Sequence, residues 1–338
     1  MALNIPVTFL LMMTPQPNHP SASSRLTVAL CMLAAVVGGA LVALQSRVNG
    51  QLGGDLGDGF FAALVSFGVG LVIITVALLV SRKARQGVTK VRIAIRAREL
   101  PWWFIFGGVA GGLFVLSQGL TVGIIGVALF TVAAVAGQTV SGLIIDARGI
   151  GTVAPKRVTP ARIVGSIIAL IAVVISVAPQ ITSSVPFWIA LMPLVFGLFL
   201  GWQQAVNGQV KTLAGSAIAA TFFNFLTGTA LLLILAVVNV ALAGWPHGFP
   251  TNPVLYLGGL VGVGFIAIFA IVTPIIGVLL QSLAAVSGQL LMSLLLSVIV
   301  PTSGQALAWT TVFGTLLTLV GVAVATIRRR MVPAPASK

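Results

Sequence analysis

Ten apolar stretches of about 20 residues constrain this chain more than any other feature. A helix needs about 20 apolar residues to cross a bilayer core that is about 30 Å thick. Only 7% of the residues are charged, whereas a soluble domain carries about 25%. The sequence therefore predicts an all-α polytopic membrane protein with ten transmembrane helices. The predicted spans are 26–47, 60–80, 102–119, 123–145, 161–178, 187–206, 217–238, 254–272, 275–299 and 308–327.

The Lys and Arg residues predict the orientation of these spans. With ten spans and the N-terminus inside, all basic residues except Arg47 fall on the cytoplasmic side, as the positive-inside rule requires. We therefore expect a multi-pass protein of the cytoplasmic membrane, with both termini in the cytoplasm and the lipid bilayer as its partner. The orientation in the membrane explains the net charge of +14, so binding to nucleic acid is not needed as an explanation. The basic segment 88–99 is expected to be a solvated loop, with an interfacial helix on anionic lipid as the alternative.

The chain contains an internal duplication. Residues 45–70 align without a gap to 203–228, and residues 126–143 align to 277–294, with nine identical positions in each block. Both blocks recur in the same order, which predicts two five-helix repeats, 26–178 and 187–327.

An odd number of spans per repeat places the second repeat upside down relative to the first. The charges of the loops support this inversion, because each basic loop of one repeat aligns with a loop of the other repeat that has no basic residues. Inverted repeats are typical of transporters that expose a central site alternately to the two sides. The sequence thus predicts a secondary transporter for a small polar or amphipathic molecule. The alternative is a non-transporting membrane scaffold or a lipid-binding protein.

The repeated motifs resemble those of a known family. Each unit has Gln-x-x-x-Asn, then Ala-(Ala/Thr)-x-x-x-Phe-x-x-Gly, then Ala-x-x-x-Gly-Gln, and this order resembles the YdcZ-like branch of the EamA-like drug/metabolite transporter superfamily. The resemblance implies an inner-membrane transporter of small molecules, with two five-helix units fused in one chain. The residues that carry it are Gln45, Asn49, Ala62, Phe67, Gly70, Gly137, Gln138, Asp146, Gln203, Asn207, Ala220, Phe225, Gly228, Gly288 and Gln289.

Side-chain amides inside the predicted spans are the candidate substrate-binding or gating residues. An amide both donates and accepts hydrogen bonds, so it suits a neutral or zwitterionic solute. The same amides could instead join helices to one another, and Asn-Gly could simply end a helix; both alternatives stay open. The candidates are Gln45, Asn49, Gln138, Gln203, Asn207, Asn224 and Gln289.

Acidic residues are too few for the usual coupling of transport to protons, which uses a carboxylate inside a span. The chain has only four, and none lies in the middle of a predicted span, where a proton relay would place one. Asp146, at the end of the fourth span, is expected to be an interfacial partner for Arg148 or a solvated helix end, with a role in coupling as the alternative. One cysteine, Cys31, and two histidines in loop sequence predict no metal site.

We expect no cofactor and no enzymatic activity, because triads, paired carboxylates and phosphate-binding loops are absent from the sequence. Residues 1–25 are expected to form a disordered tail, with a start codon assigned too early as the alternative. Residues 328–338 are expected to form a basic cytoplasmic tail.

Overall fold

The computed structural model describes residues 22–148, 159–181, 186–246, 248–300 and 308–326. Within these ranges the chain is helical and contains no strand. Residues 1–21 and 327–338, which hold most of the two predicted tails, lie outside the description. The helices are α1 Ala22–Leu56, α2 Gly59–Val80, α3 Arg82–Arg96, α4 Gly107–Arg148, α5 Pro160–Ile181, α6 Phe187–Ala214, α7 Ala217–Ala243, α8 Gly258–Ile299 and α9 Trp309–Thr326, with 3₁₀ turns at Trp102–Phe106 and Pro253–Leu257.

Seven helical segments of the described chain are long and apolar enough to cross a membrane. One of them, Trp102–Ile145, has 44 residues and contains the third and fourth predicted spans. It is interrupted at Gly126, whose φ of 77° and ψ of 157° are not helical. Shorter apolar parts of α5 and α9, Ile163–Ser176 and Trp309–Val324, match two further predicted spans. The chain is therefore an all-α, multi-pass membrane protein.

Helix α8 bends back on itself. Gly38 contacts the ring of Phe269, and the next residue, Gly39, contacts the backbone of Ala285. A straight helix would separate residues 269 and 285 by about 24 Å, because each residue adds 1.5 Å. The two contacts therefore require a bend between them, which divides α8 into two segments.

Residues that align in the two sequence repeats make matched contacts. A Cβ added to Gly39 of α1 would overlap the carbonyl oxygen of Ala285 in α8. The aligned residue, Gly197 of α6, is in the same relation to Ala134 of α4. Each of these helices thus packs closely against a helix of the other half, and only glycine permits the approach.

Two aromatic rings meet at the centre of the molecule. Phe67 of α2 and the aligned Phe225 of α7 lie with ring centroids 5.0 Å apart. Each ring also fills the space above a glycine of the opposite helix, Gly228 for Phe67 and Gly70 for Phe225. The two halves therefore exchange the same contact in both directions.

The turns α1–α2 and α6–α7 are also alike. Gly57 and Gly215 both have a φ of 64°, a left-handed conformation that glycine adopts without steric cost. Asp58 accepts a hydrogen bond from the Phe61 amide, and Ser216 accepts one from the Ala219 amide, so each caps the following helix.

The expectation of a solvated loop at 88–99 is wrong as far as residue 96, because Arg82–Arg96 forms helix α3. Its buried face consists of small and apolar residues: Ala84, Gly87, Val91 and Ala94. Gly87 lies against Ala214 and Ala219, where α6 ends and α7 begins. The apolar face gains more by covering these helices than by remaining in water, while the basic residues stay outside.

Candidate functional site

A cavity of about 300 Å³ lies between the two halves of the molecule. Helices α1, α2 and α4 of the first half and α6, α7 and α8 of the second half contribute to its wall. The cavity thus depends on the two halves together, which is the position expected for a substrate site in a transporter built from repeats.

Five of the predicted amides line this cavity: Gln45, Gln138, Gln203, Asn207 and Gln289. Asn49 and Asn224 are buried and do not line it. Asp146 belongs to the last turn of α4, but its side chain lies outside the described part of the molecule. The predicted site residues do not include six further polar lining residues: Gln204, Lys211, Thr212, Thr221, Gln281 and Ser282.

Three buried side chains of the first half form a hydrogen-bonded chain. The Asn49 Nδ2 group donates to Gln118 Oε1 over 2.7 Å, and Gln118 Nε2 donates to Ser46 Oγ over 2.9 Å. All three residues are fully buried. One turn away, Gln45 Nε2 donates to the carbonyl oxygen of Gly258 in the other half, also over 2.9 Å. These bonds join α1 to α4 and to α8.

The matching amides of the second half use a different acceptor. Gln203 Nε2 and Asn207 Nδ2 both donate to Asn224 Oδ1, over 2.8 Å and 2.9 Å. The residue that aligns with Asn224 in the first half is Ser66. Its buried hydroxyl has no hydrogen-bond partner among the described residues, and the first-half amides donate to Gly258 and Gln118 instead. The two halves therefore share a backbone arrangement but differ in their polar contacts.

The two faces of the molecule differ in their accessibility. Near one face, Asn49 is 0% exposed, and a Cβ added to Gly50 would overlap Val122. Near the other face, the aligned Asn207 is half-buried, and a Cβ added to Gly208 would meet no atom of the described residues within 4 Å. The cavity reaches its mouth at Gly208, Lys211 and Thr212. The structure is thus closed at one face and open at the other.

Polar atoms without a hydrogen-bond partner belong to the cavity wall. Among the described residues, Gln45 Oε1, Gln289 Nε2 and Thr221 Oγ1 are buried and unpaired. Buried polar groups normally have partners, so these atoms leave hydrogen-bonding capacity unused beside the cavity in this conformation. The apolar part of the wall includes five aromatic rings: Phe67, Phe114, Phe225, Phe265 and Phe269. This arrangement can hold a molecule that has both polar groups and a flat apolar body.

The fold and the cavity together define a multi-pass membrane protein with a central site between two similar halves. The family described as "Putative inner membrane exporter, YdcZ" matches the chain twice, over residues 30–175 and 188–324. The chain therefore belongs to the YdcZ family of the drug/metabolite transporters. The resemblance in the repeated motifs is confirmed, and the family supports a role in transport across the inner membrane.

Seven solved protein chains match the fold. One of them, described as "Crystal structure of protein", aligns with 89% of this chain and 98% of its own length at a TM-score of 0.57 and 17% sequence identity. This likeness shows a shared fold. No individually curated protein matches the sequence.

Proposed function

We propose that this protein is a secondary transporter that moves a small polar or amphipathic molecule across the cytoplasmic membrane by alternating access between two inverted five-helix repeats. The observation that carries the proposal is the cavity between the halves, open beside Gly208 and closed beside the aligned Gly50. In a protein built from two copies of one unit, exchanging the conformations of the copies would open the other face.

Two observations support the inversion of the repeats. The contacts of Gly39 with Ala285 and of Gly197 with Ala134 match in both halves. The basic residues fall in loops whose counterparts lack them, as expected if the second unit crosses the membrane in the opposite direction.

The open face is the cytoplasmic one in this proposal. Helix α3 carries six basic residues and packs beside Ala214, three residues after Lys211 at the cavity mouth. Because basic residues favour the cytoplasmic side, the mouth and both termini belong to that side. The bilayer would surround exposed aliphatic side chains such as Val72 and Val76 of α2 and Ile171 and Val174 of α5.

A plug at the cavity mouth tests the transport function. In Gly208→Trp the new ring has open space, so it should fill the mouth without distorting the helices. Gly54→Trp is the matched control, because a Cβ at Gly54 also meets none of the described atoms within 4 Å and Gly54 does not line the cavity. Purified protein is reconstituted into vesicles loaded with a defined mixture of amino acids, organic acids, amines and sugars, and efflux is followed by mass spectrometry.

We expect at least one solute to leave vesicles with the wild-type protein and the Gly54→Trp variant faster than protein-free vesicles. Efflux through Gly208→Trp should fall to the protein-free rate. Equal efflux through Gly208→Trp and the wild type would contradict a pathway through this cavity. Efflux from none of the vesicles would favour a scaffold over a transporter.

A further inference from the structure

One charged side chain stands at the mouth of the cavity. Among the described residues that line it, Lys211 is the only charged residue, and the others are amides, hydroxyls, aromatic and aliphatic groups. The carboxylates of Asp55, Asp58 and Glu99 do not line the cavity. A lone ammonium group in a partly enclosed space attracts anions and repels cations.

The closed face has no such charge at the corresponding place. The residue that aligns with Lys211 is Gly53, and a Cβ added there would overlap the carbonyl oxygen of Gly119. Glycine therefore lets α1 lie directly on α4 where that face is closed. Gly50, one turn earlier, makes the same kind of contact with Val122.

Closure of the open face cannot repeat this packing without a partner for Lys211. If α6 approached α8 as α1 approaches α4, the Lys211 side chain would enter the space between the helices and lose its water. An unpaired ammonium in such a place is strongly unfavourable, whereas one paired with an anion and hydrogen-bonded is tolerated.

Resting on the proposed transport function, we propose that the substrate is an amphipathic organic anion whose charged group pairs with Lys211, and that this pairing permits the Lys211 face to close. The aromatic wall formed by Phe225, Phe265 and Phe269 packs against the apolar body of the substrate. The side chains of Gln45, Gln289 and Thr221, which line the cavity, bind an uncharged polar part of the substrate.

This arrangement gives the transporter a direction. Without a substrate, the unpaired Lys211 holds the cytoplasmic face open, so loading takes place from the cytoplasm. The potential across the membrane, negative inside, drives an anion outward without a coupling ion. Export would then need no carboxylate inside a span.

Two sets of probes that differ only in charge test the substrate class. The first set is indole-3-acetate, indole-3-acetamide and tryptamine; the second is 3-phenylpropionate, 3-phenylpropionamide and 3-phenylpropylamine. Binding to the full-length protein in detergent is measured by calorimetry for the wild type, Lys211→Gln, Lys211→Arg and Asp146→Asn. The last variant tests whether Asp146, whose side chain lies outside the described part of the molecule, supplies a competing carboxylate.

In at least one set, the wild-type protein should bind the acid about tenfold more tightly than the amide, the effect of one charge-assisted hydrogen bond. The amine should bind most weakly. Lys211→Gln should remove the preference for the acid, while Lys211→Arg and Asp146→Asn should keep it.

Tightest binding of the amine or the amide would overturn the proposal, as would a preference for the acid that survives in Lys211→Gln. Failure of both sets to bind the wild type would also overturn it. These outcomes are separate from failure of the transport function, because efflux sensitive to Gly208→Trp could persist with a neutral or cationic solute. In that case the substrate class alone would be wrong.

Discussion

Gly50 and Gly208 occupy aligned positions in the two halves, yet Gly50 lies against Val122 while Gly208 borders open space. The sequence around both residues is the same Val-Asn-Gly-Gln. These four residues therefore do not account for the difference. It is the clearest sign that one face is closed and the other open.

A side chain at Gly50 should destabilise this conformation. In Gly50→Val the added atoms overlap Val122, and overpacking of this kind costs about 1–3 kcal/mol. In Gly208→Val the same side chain meets open space, so we expect a change within about 0.5 kcal/mol. Thermal unfolding in detergent compares the two variants, and equal losses would contradict the difference between the faces.

The ring contact at the centre should be among the strongest in the protein. Phe225 is 1% exposed and touches Phe67, so Phe225→Ala should cost about 3–5 kcal/mol. Phe67→Ala should cost a similar amount, because the contact is mutual. Phe313 of α9, which is 56% exposed toward the lipid, provides the control, and Phe313→Ala should have little effect. Comparable losses at Phe313 and Phe225 would show that the centre is not specially packed.

The stability gained from the buried hydrogen bonds of Asn49, Gln118 and Ser46 should depend on Gln118. In Gln118→Leu the donor groups of Asn49 lose their acceptor, and a buried unpaired group costs about 1–3 kcal/mol. Thr212→Val, at an exposed position of the cavity mouth, should leave the stability unchanged. Urea unfolding of the two variants measures the difference, and an unaltered Gln118→Leu protein would mean that these bonds are replaced by water.

The charge distribution also predicts the orientation in the membrane. A glycosylation or phosphatase reporter inserted after Arg98 should report the cytoplasm, and one inserted after Gly248 should report the outside. Both insertion points follow helices, so they should not interrupt a span. The same answer from both sites would be incompatible with a protein in which α2 and α7 cross in opposite directions.

The sequence predicted the repeats because Gln, Asn and Gly recur at the same spacing in both halves. It led to Gln45 and Gln203 as candidates, whereas Gln118 was an amide inside a span without a predicted role. The residue that aligns with Gln118 is Phe269, so the duplication gives no signal at this position. A polar contact that exists in one half only becomes visible when the helices are in place.

Helix α3 was mispredicted because its basic residues dominate the segment. The signal was nevertheless present, since Ala84, Gly87, Val91 and Ala94 recur at helical spacing and form the buried face. From the sequence alone, Lys211 contributes only to the predicted orientation of the chain in the membrane, because its distance from the cavity is unknown. Its position at the mouth follows from the packing of α6 against other helices, which local sequence does not specify.

The exchange of open and closed faces is tested most directly by paired cysteines at aligned positions. Gln204 lines the cavity, and the aligned Ser46 is 0% exposed, so Gln204→Cys and Ser46→Cys are compared in a Cys31→Ala background. A membrane-impermeant maleimide is applied from either side of oriented vesicles. Residue 204 should react from the cytoplasmic side, and residue 46 should be protected from both sides.

The Gly50→Val substitution, which disfavours the closed outer face, is then added to both cysteine variants. We predict that residue 46 becomes reactive from the outside while residue 204 loses its reactivity from the cytoplasm. If residue 46 stays protected, or if both cysteines change in the same direction, the two faces do not open alternately and the account is wrong.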